Sequence, residues 1–319
     1  MSMDVYARIT DKIVAELEKG IRPWMKPWNA EHAAGKITRP LRHNGLPYSG
    51  VNVLVLWLEA TDSGYSAPIW MTYKQAQELK GQVRKGEKGS LVVYANAITK
   101  TEQNNETGED IERKIPFMKG YTVFNVEQID NLPAHYYAKA QAPQIDPAQR
   151  IEHLEQFFRN TGAAVRHGGN RAFFSPTHDR IQMPPFEFFK DKESYYSTLS
   201  HECTHWTGHT LRLKRDFGGK KFGDAGYAKE ELVAELGAAF LCADLGITPE
   251  VREDHAAYIA SWLKALKGDK RFIFSASAYA QRAAEYLHGK QPEPRAEPTP
   301  DDRPPFTARQ SNDRLDYTN

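Results

Sequence analysis

Five consecutive residues, His201-Glu202-Cys203-Thr204-His205, hold the clearest chemistry in the chain. They spell H-E-x-x-H. On an α-helix, positions i and i+4 share a face, so both imidazoles can reach one cation. Zinc takes such nitrogens at roughly 2.0–2.1 Å and still needs a third protein ligand and a water. Glu202, beside the first imidazole, is the candidate general base that draws a proton from that water. Ser194 to Ser200 contain neither Pro nor Gly. The pattern predicts a helix capped between Asp191 and Ser194 and ending near Gly208. Leu199, Cys203 and Trp206 surround the histidines with an apolar strip, where two imidazoles and a carboxylate need a partner.

A third ligand is found by elimination. A metzincin places a third histidine six residues beyond the second; here that position is Leu211, and His209 comes two residues too early. The other common source is a carboxylate from a second helix. Glu230 to Leu241 read as such a helix, and its small residues Ala234, Gly237 and Ala238 permit close packing on the first. Glu231 and Glu235 fall on one face, so one can bind the metal while the other holds a ligand histidine by its free N–H. Glu231 is assigned as ligand and Glu235 as the support, with the reverse assignment as the open alternative; Glu230 reads as surface charge. The cofactor expected is one divalent ion, zinc first, although a His2Glu set also accepts manganese or other ions. Tyr195, Tyr196, Tyr227 or His209 is the candidate to steady an oxyanion.

The elements that must position these groups make an α+β protein of two domains. The 319 residues suffice for two cores, and the net charge of +1 advertises no polyanionic partner. Cys203 and Cys242 sit inside the two metal-site helices and read as core residues rather than a disulfide. No signal peptide and no long apolar run are present, so the expectation is a cytoplasmic protein with no membrane partner. Residues 1–132 form the first domain. It opens on a helix with the stripe Val5, Ile9, Ile13, Leu17, closed by Gly20, followed by helices near Val51–Ala60 and Thr72–Leu79. Strands are expected near Ser90–Asn96 and Gly120–Phe124, with a turn at Asn104–Gly108. Residues 133–149 read as a linker, 150–289 as the metal-binding domain, and 290–319, rich in proline and charge, as a disordered tail. A hairpin, Arg171–Phe174 then Arg180–Met183, precedes the metal helices. Its second strand, Asp179–Met183, is a candidate edge along which an extended peptide could add as a further strand.

In the first domain, basic and aromatic residues interleave. Lys19, Arg22, Lys26, Lys36, Arg39 and Arg42 surround Trp24 and Trp28, and a second cluster holds Trp70, Tyr73, Lys74, Lys80, Arg84, Lys85 and Lys88. Cations that follow a phosphate backbone, with rings on which bases stack, are how proteins hold single strands. On charge and ring chemistry the candidate contacts are Trp24, Trp28, Arg39, Arg42, Tyr48, Trp70, Lys74, Arg84, Lys85 and Lys88. Acids between Glu102 and Glu112 offset the basic excess, so any footprint is local.

Longer stretches carry a resemblance. Ile21-Arg22-Pro23-Trp24, Pro27-Trp28, Asn44 to Asn52, Trp70 to Ala76, Val83 to Gly89 and Tyr121 to Gln128 resemble the N-terminal single-strand-DNA-binding domain of ArdC-type plasmid anti-restriction proteins. TraC-type plasmid primases share that domain. His201 to His205 and Tyr227 to Glu235 are similar to the zincin-like metallopeptidase domain of the same family. The resemblance covers about residues 1–289. It implies a protein that binds incoming single-stranded DNA during conjugation and protects it from restriction, with a metal-dependent peptidase site. It further implies an unidentified protein substrate, a host restriction component being one candidate. The alternative it leaves open is a DNA-shielding protein whose metal site is structural or unused for proteolysis.

Overall fold

The computed structural model describes residues 4–25, 38–103, 110–137, 147–218, 224–249 and 255–292. Trp28, the turn at 104–108, residues 138–146 of the expected linker and the tail from 293 lie outside them. Helix α1 (Val5–Glu18) starts at Asp4, whose side chain accepts the Tyr6 N–H at 3.0 Å. Ile9, Ile13 and Leu17 recur every four residues and are all buried. After β1 (Leu41–Arg42) comes α2 (Val51–Ser63), whose residues Val51 to Leu58 are all buried; a helix apolar on every side belongs inside. It is followed by β2 (Ile69–Met71), α3 (Tyr73–Glu78) and β3 (Gln82–Val83).

Strands β4 (Ser90–Gln103) and β5 (Asp110–Asn125) are antiparallel along their whole length, from Ser90 opposite Val123 to Gln103 opposite Asp110. They are longer than expected because their outer arms are too polar for apolar alternation to mark them. The sheet order is β1-β2-β5-β4, and β6 (Ile129–Asp130) pairs with β3. Buried Asn52 fastens α2 to the sheet: its Nδ2 donates to the Val93 carbonyl and the Val93 N–H donates to its Oδ1, both at 2.8 Å. Tyr136, inside the expected linker, is buried with Met71, Val83 and Ile129.

The second half contains α4 (Pro147–Asn160), β7 (Ala164–His167), β8 (Phe173–Ser175), β9 (Arg180–Met183), α5 (Lys192–Thr207), α6 (Ala225–Leu245), α7 (His255–Gly268) and α8 (Phe272–His288). β9 lies in the middle of its sheet, parallel to β7 and antiparallel to β8. This corrects its reading as an edge: both of its backbone sides are already paired, so only β7 and β8 offer a free one.

The two domains are each α+β, and their apolar cores are continuous. One cluster of buried apolar side chains runs from Ile9 to Leu287, with α1 against α7 and α2 against α8. Trp24 meets Trp262 edge-on at 5.5 Å. Buried Arg39 donates from Nε and Nη2 to the two Asp244 oxygens at 2.7 and 2.8 Å, and from Nη1 to Gln281 at 2.6 Å.

Candidate metal centre

Asp191 starts α5 by accepting the backbone N–H and the hydroxyl of Ser194, both at 2.7 Å, and these hydrogen bonds hold its carboxyl below the usual range. The helix is buried on nearly every side, so its hydroxyls bond back to the preceding turn: Ser200 to the Tyr196 carbonyl and Thr204 to the Ser200 carbonyl, each 2.8 Å. α6 packs directly on it. A Cβ at Gly237 would lie 2.5 Å from the Thr204 side chain, so only glycine permits this approach.

The contact brings His201, His205 and Glu231 together, one ligand atom of each lying within 4.8 Å of the others. The two Nε2 atoms are 3.1 Å apart, and the Glu231 oxygens lie 3.5 Å from that of His201 and 3.4 Å from that of His205. Ligands on a tetrahedral ion with ~2.1 Å bonds stand about 3.4 Å apart, so this set fits a zinc-sized divalent ion. Each histidine also turns Nδ1 to a carboxylate. His201 faces Glu235 at 3.7 Å, and His205 faces Glu230 at 3.0 Å. The hydrogen bond at His205 Nδ1 leaves its Nε2 free for a metal, while the carboxylate at His201 stands just beyond hydrogen-bond reach. Glu231 therefore sits on the Nε2 side of both rings, and Glu235 on the Nδ1 side of one.

Burial alone would lower the His205 imidazole, but Glu231 and Glu230 outweigh it and push it up to about 10. Burial would raise the Glu231 carboxyl; His205 and His201 overcome that and hold it far below the usual range. Glu202 is 2% exposed, inside the same helix.

Two supports were hidden in the sequence. Glu230 is no idle surface charge: Arg215 donates to it from Nε at 2.7 Å and from Nη2 at 2.6 Å while it holds His205. The Arg215 side chain is 0% exposed and also caps the end of α5 through the Thr204 carbonyl at 2.8 Å. Gly208 makes room for it, since a Cβ there would lie 2.8 Å from its Nη2. The second support is Arg22 with Trp24, from the other half of the chain. Arg22 Nη1 and Trp24 Nε1 donate to Glu235 Oε2 at 3.2 and 3.4 Å. No spacing rule links residues more than two hundred positions apart.

Of the four oxyanion candidates, Tyr227 lies one turn before Glu231 on α6. Its hydroxyl, 3.2 Å from that of Tyr258, is pushed up by burial, then by Tyr258 and Glu231. Tyr195 is buried among Phe186 and Phe189 with its hydroxyl 2.9 Å from His167, and Tyr196 stacks on Phe158; both face packing rather than the metal ligands. The His209 Nδ1 accepts the Leu211 N–H at 3.3 Å, and its ring meets Phe174 edge-on.

The expected DNA contacts divide. Trp24, Trp70, Tyr48 and Arg39 are buried, which corrects their reading as contacts: rings packed on both faces leave no surface for a base, and Arg39 is committed to Asp244. Arg42, Lys74, Arg84, Lys85 and Lys88 are exposed. Exposed rings do occur nearby, at Tyr73 (43%) beside Lys74 and at Tyr94 (50%) on β4.

Two imidazoles one turn apart, a carboxylate from a second helix and a small mixed sheet beside them define a zincin-like domain. Residues 152–279 match the family described as zincin-like metallopeptidase, and residues 3–124 match the N-terminal domain of anti-restriction factor ArdC. The uncharacterized protein y4eC of Sinorhizobium fredii is 43% identical over 293 residues, covering 90% of this chain and 92% of its own. The DNA primase TraC of Escherichia coli is 36% identical over 297 residues, but the matched region is only 27% of that protein. Two crystal structures of ArdC from plasmid R388 are similar over 90% of this chain and 98% of theirs. The metal-free one has a TM-score of 0.75 at 48% identity, and the Mn(II)-bound one 0.73 at 45%. The chain belongs to the ArdC family of anti-restriction proteins. No helix among its described residues is long and apolar enough to cross a membrane.

Proposed function

We propose that this protein is an anti-restriction peptidase that binds incoming single-stranded DNA and cleaves a protein, with His201, His205 and Glu231 holding one divalent ion. The convergence of two carboxylate-backed imidazoles with Glu231 carries this reading. Such an ion, when bound, supplies a Lewis acid and a bound water of lowered pKa. Glu202 accepts the proton of the attacking water and returns it to the leaving amine. Tyr227 keeps its proton and donates a hydrogen bond from its hydroxyl to the developing oxyanion. The extended substrate lies on the free edge of β8, the strand that Phe174 ties to His209 at the end of α5. A purely structural ion has no use for a buried glutamate between its histidine ligands, which favours catalysis over shielding alone.

DNA binding is assigned to the exposed cations Arg42, Lys74, Arg84, Lys85 and Lys88 with Tyr73 and Tyr94, on the part of the chain that matches the ArdC N-terminal domain. The test compares wild type and Glu202→Gln in recipient-cell extract, with and without single-stranded DNA. Wild type should yield protein fragments absent with the variant, while metal and DNA binding stay equal in both. Protection from restriction that survives in Glu202→Gln would leave DNA shielding as the activity.

A further inference from the structure

We infer that Arg22 and Trp24, from the half of the chain assigned to DNA, are positioning residues of the metal centre. The inference rests on the metal-site reading above. The connection is continuous. Glu235 presents Oε1 toward His201 Nδ1 at 3.7 Å, while its Oε2 accepts from Arg22 Nη1 at 3.2 Å and from Trp24 Nε1 at 3.4 Å. All four side chains are buried, so the carboxylate has little water to hold its charge or set its rotamer. Its position along α6 allows rotation about the side-chain bonds; the two donors select one orientation, with Oε1 toward the imidazole.

Trp24 is itself held by packing. It meets Trp262 edge-on, and Trp262 in turn donates Nε1–H to the Ala228 carbonyl at 2.9 Å, three residues before Glu231. The turn that follows α1 thus meets α6 at two places, at Glu235 by hydrogen bonds and near Ala228 through an indole pair, and only the first reaches a ligand histidine. Carboxylates that orient ligand histidines act on metal affinity through the ring's basicity and aim. Donors that fix such a carboxylate act one step further out. The metal-binding half is therefore completed by the other half, and the two act as one unit.

The test is the affinity of the full chain for Mn(II), measured by calorimetry or electron paramagnetic resonance, for wild type, Trp24→Phe, Trp262→Phe, Glu235→Gln and the Trp24→Phe/Glu235→Gln pair. Trp24→Phe removes one N–H and keeps the apolar ring. It should weaken Mn(II) binding about tenfold while the melting temperature in EDTA stays close to wild type. Trp262→Phe, an equal truncation that does not reach Glu235, should leave affinity unchanged. Because Trp24 acts through Glu235, the pair should bind no more weakly than Glu235→Gln alone. Equal losses in Trp24→Phe and Trp262→Phe, or additive losses in the pair, would reduce Trp24 to a packing role and overturn the inference. Failure of the wild type to bind Mn(II) or Zn(II) would instead overturn the metal-site reading. Arg22→Lys, which keeps the charge in a pair whose rupture would unsettle the fold, should restore most of the affinity lost in Arg22→Gln.

Discussion

His205 is the residue on which charge and metal meet. Its imidazole is raised to about 10 against burial by Glu231 and Glu230, above the ordinary ~6.5. A group raised on folding lends stability that is fully present below pH ~6.5 and is lost as pH rises toward 10, so the metal-free protein should weaken across that window. An ion must displace the same proton, so its affinity should climb with pH by up to about tenfold per unit. The rise in melting temperature on adding Mn(II) should therefore grow between pH 6.5 and 9. In Glu230→Gln that growth should level off at a lower pH, because one of the carboxylates holding the proton is gone. A pH-independent metal shift would contradict this charge balance. At this scale the motif was readable: His201, Glu202 and His205 announce themselves by spacing, and Glu231 by lying in an otherwise apolar helix. Glu230 was not, because its role depends on Arg215, and Arg215 is an undistinguished basic residue until a loop folds it back beneath α5.

Among the elements, α5 and α6 define the site because they touch. Gly237 opposite Thr204 sets their separation, and a methyl group there would overlap the Thr204 side chain at 2.5 Å. Thr204 is buried and its hydroxyl is committed to Ser200, so it has nowhere to turn. Gly237→Ala should gain up to ~1 kcal/mol of helix propensity but lose about 1–3 kcal/mol to overpacking. A lower denaturation midpoint together with weaker Mn(II) binding is the expected outcome; a more stable variant with unchanged affinity would show that the helices are not in contact there. Small residues in an apolar helix made this packing legible. The order of the β7-β9-β8 sheet was not, since alternation along Arg180–Met183 marks a strand and says nothing about its neighbours. The polar arms of β4 and β5 escaped for a related reason: they pair with each other along the ladder, which apolar alternation does not report.

For the whole molecule, the same residue types did two jobs that sequence alone confounds. Tryptophans and arginines of the first half read as DNA contacts, yet Trp24 and Arg39 are spent on joining the halves, Trp70 is buried against Tyr65, and the exposed rings among the described residues there are tyrosines. Single-strand binding should accordingly follow the exposed set. Lys85→Glu with Lys88→Glu should lower affinity and reduce the salt slope by about 1.4 if both meet phosphates, and Tyr73→Ala should weaken binding about tenfold if a base stacks there. Titration of a labelled oligonucleotide at several salt concentrations measures both, and affinity untouched by all three changes would move the interface elsewhere. The central claim concerns the ion and is tested by metal content after equilibration with Mn(II) or Zn(II) and gel filtration. Wild type and Glu202→Gln should retain one ion per chain, Glu235→Gln should bind more weakly, and Glu231→Gln should retain none; full retention by Glu231→Gln with complete loss in Glu235→Gln would contradict the assignment.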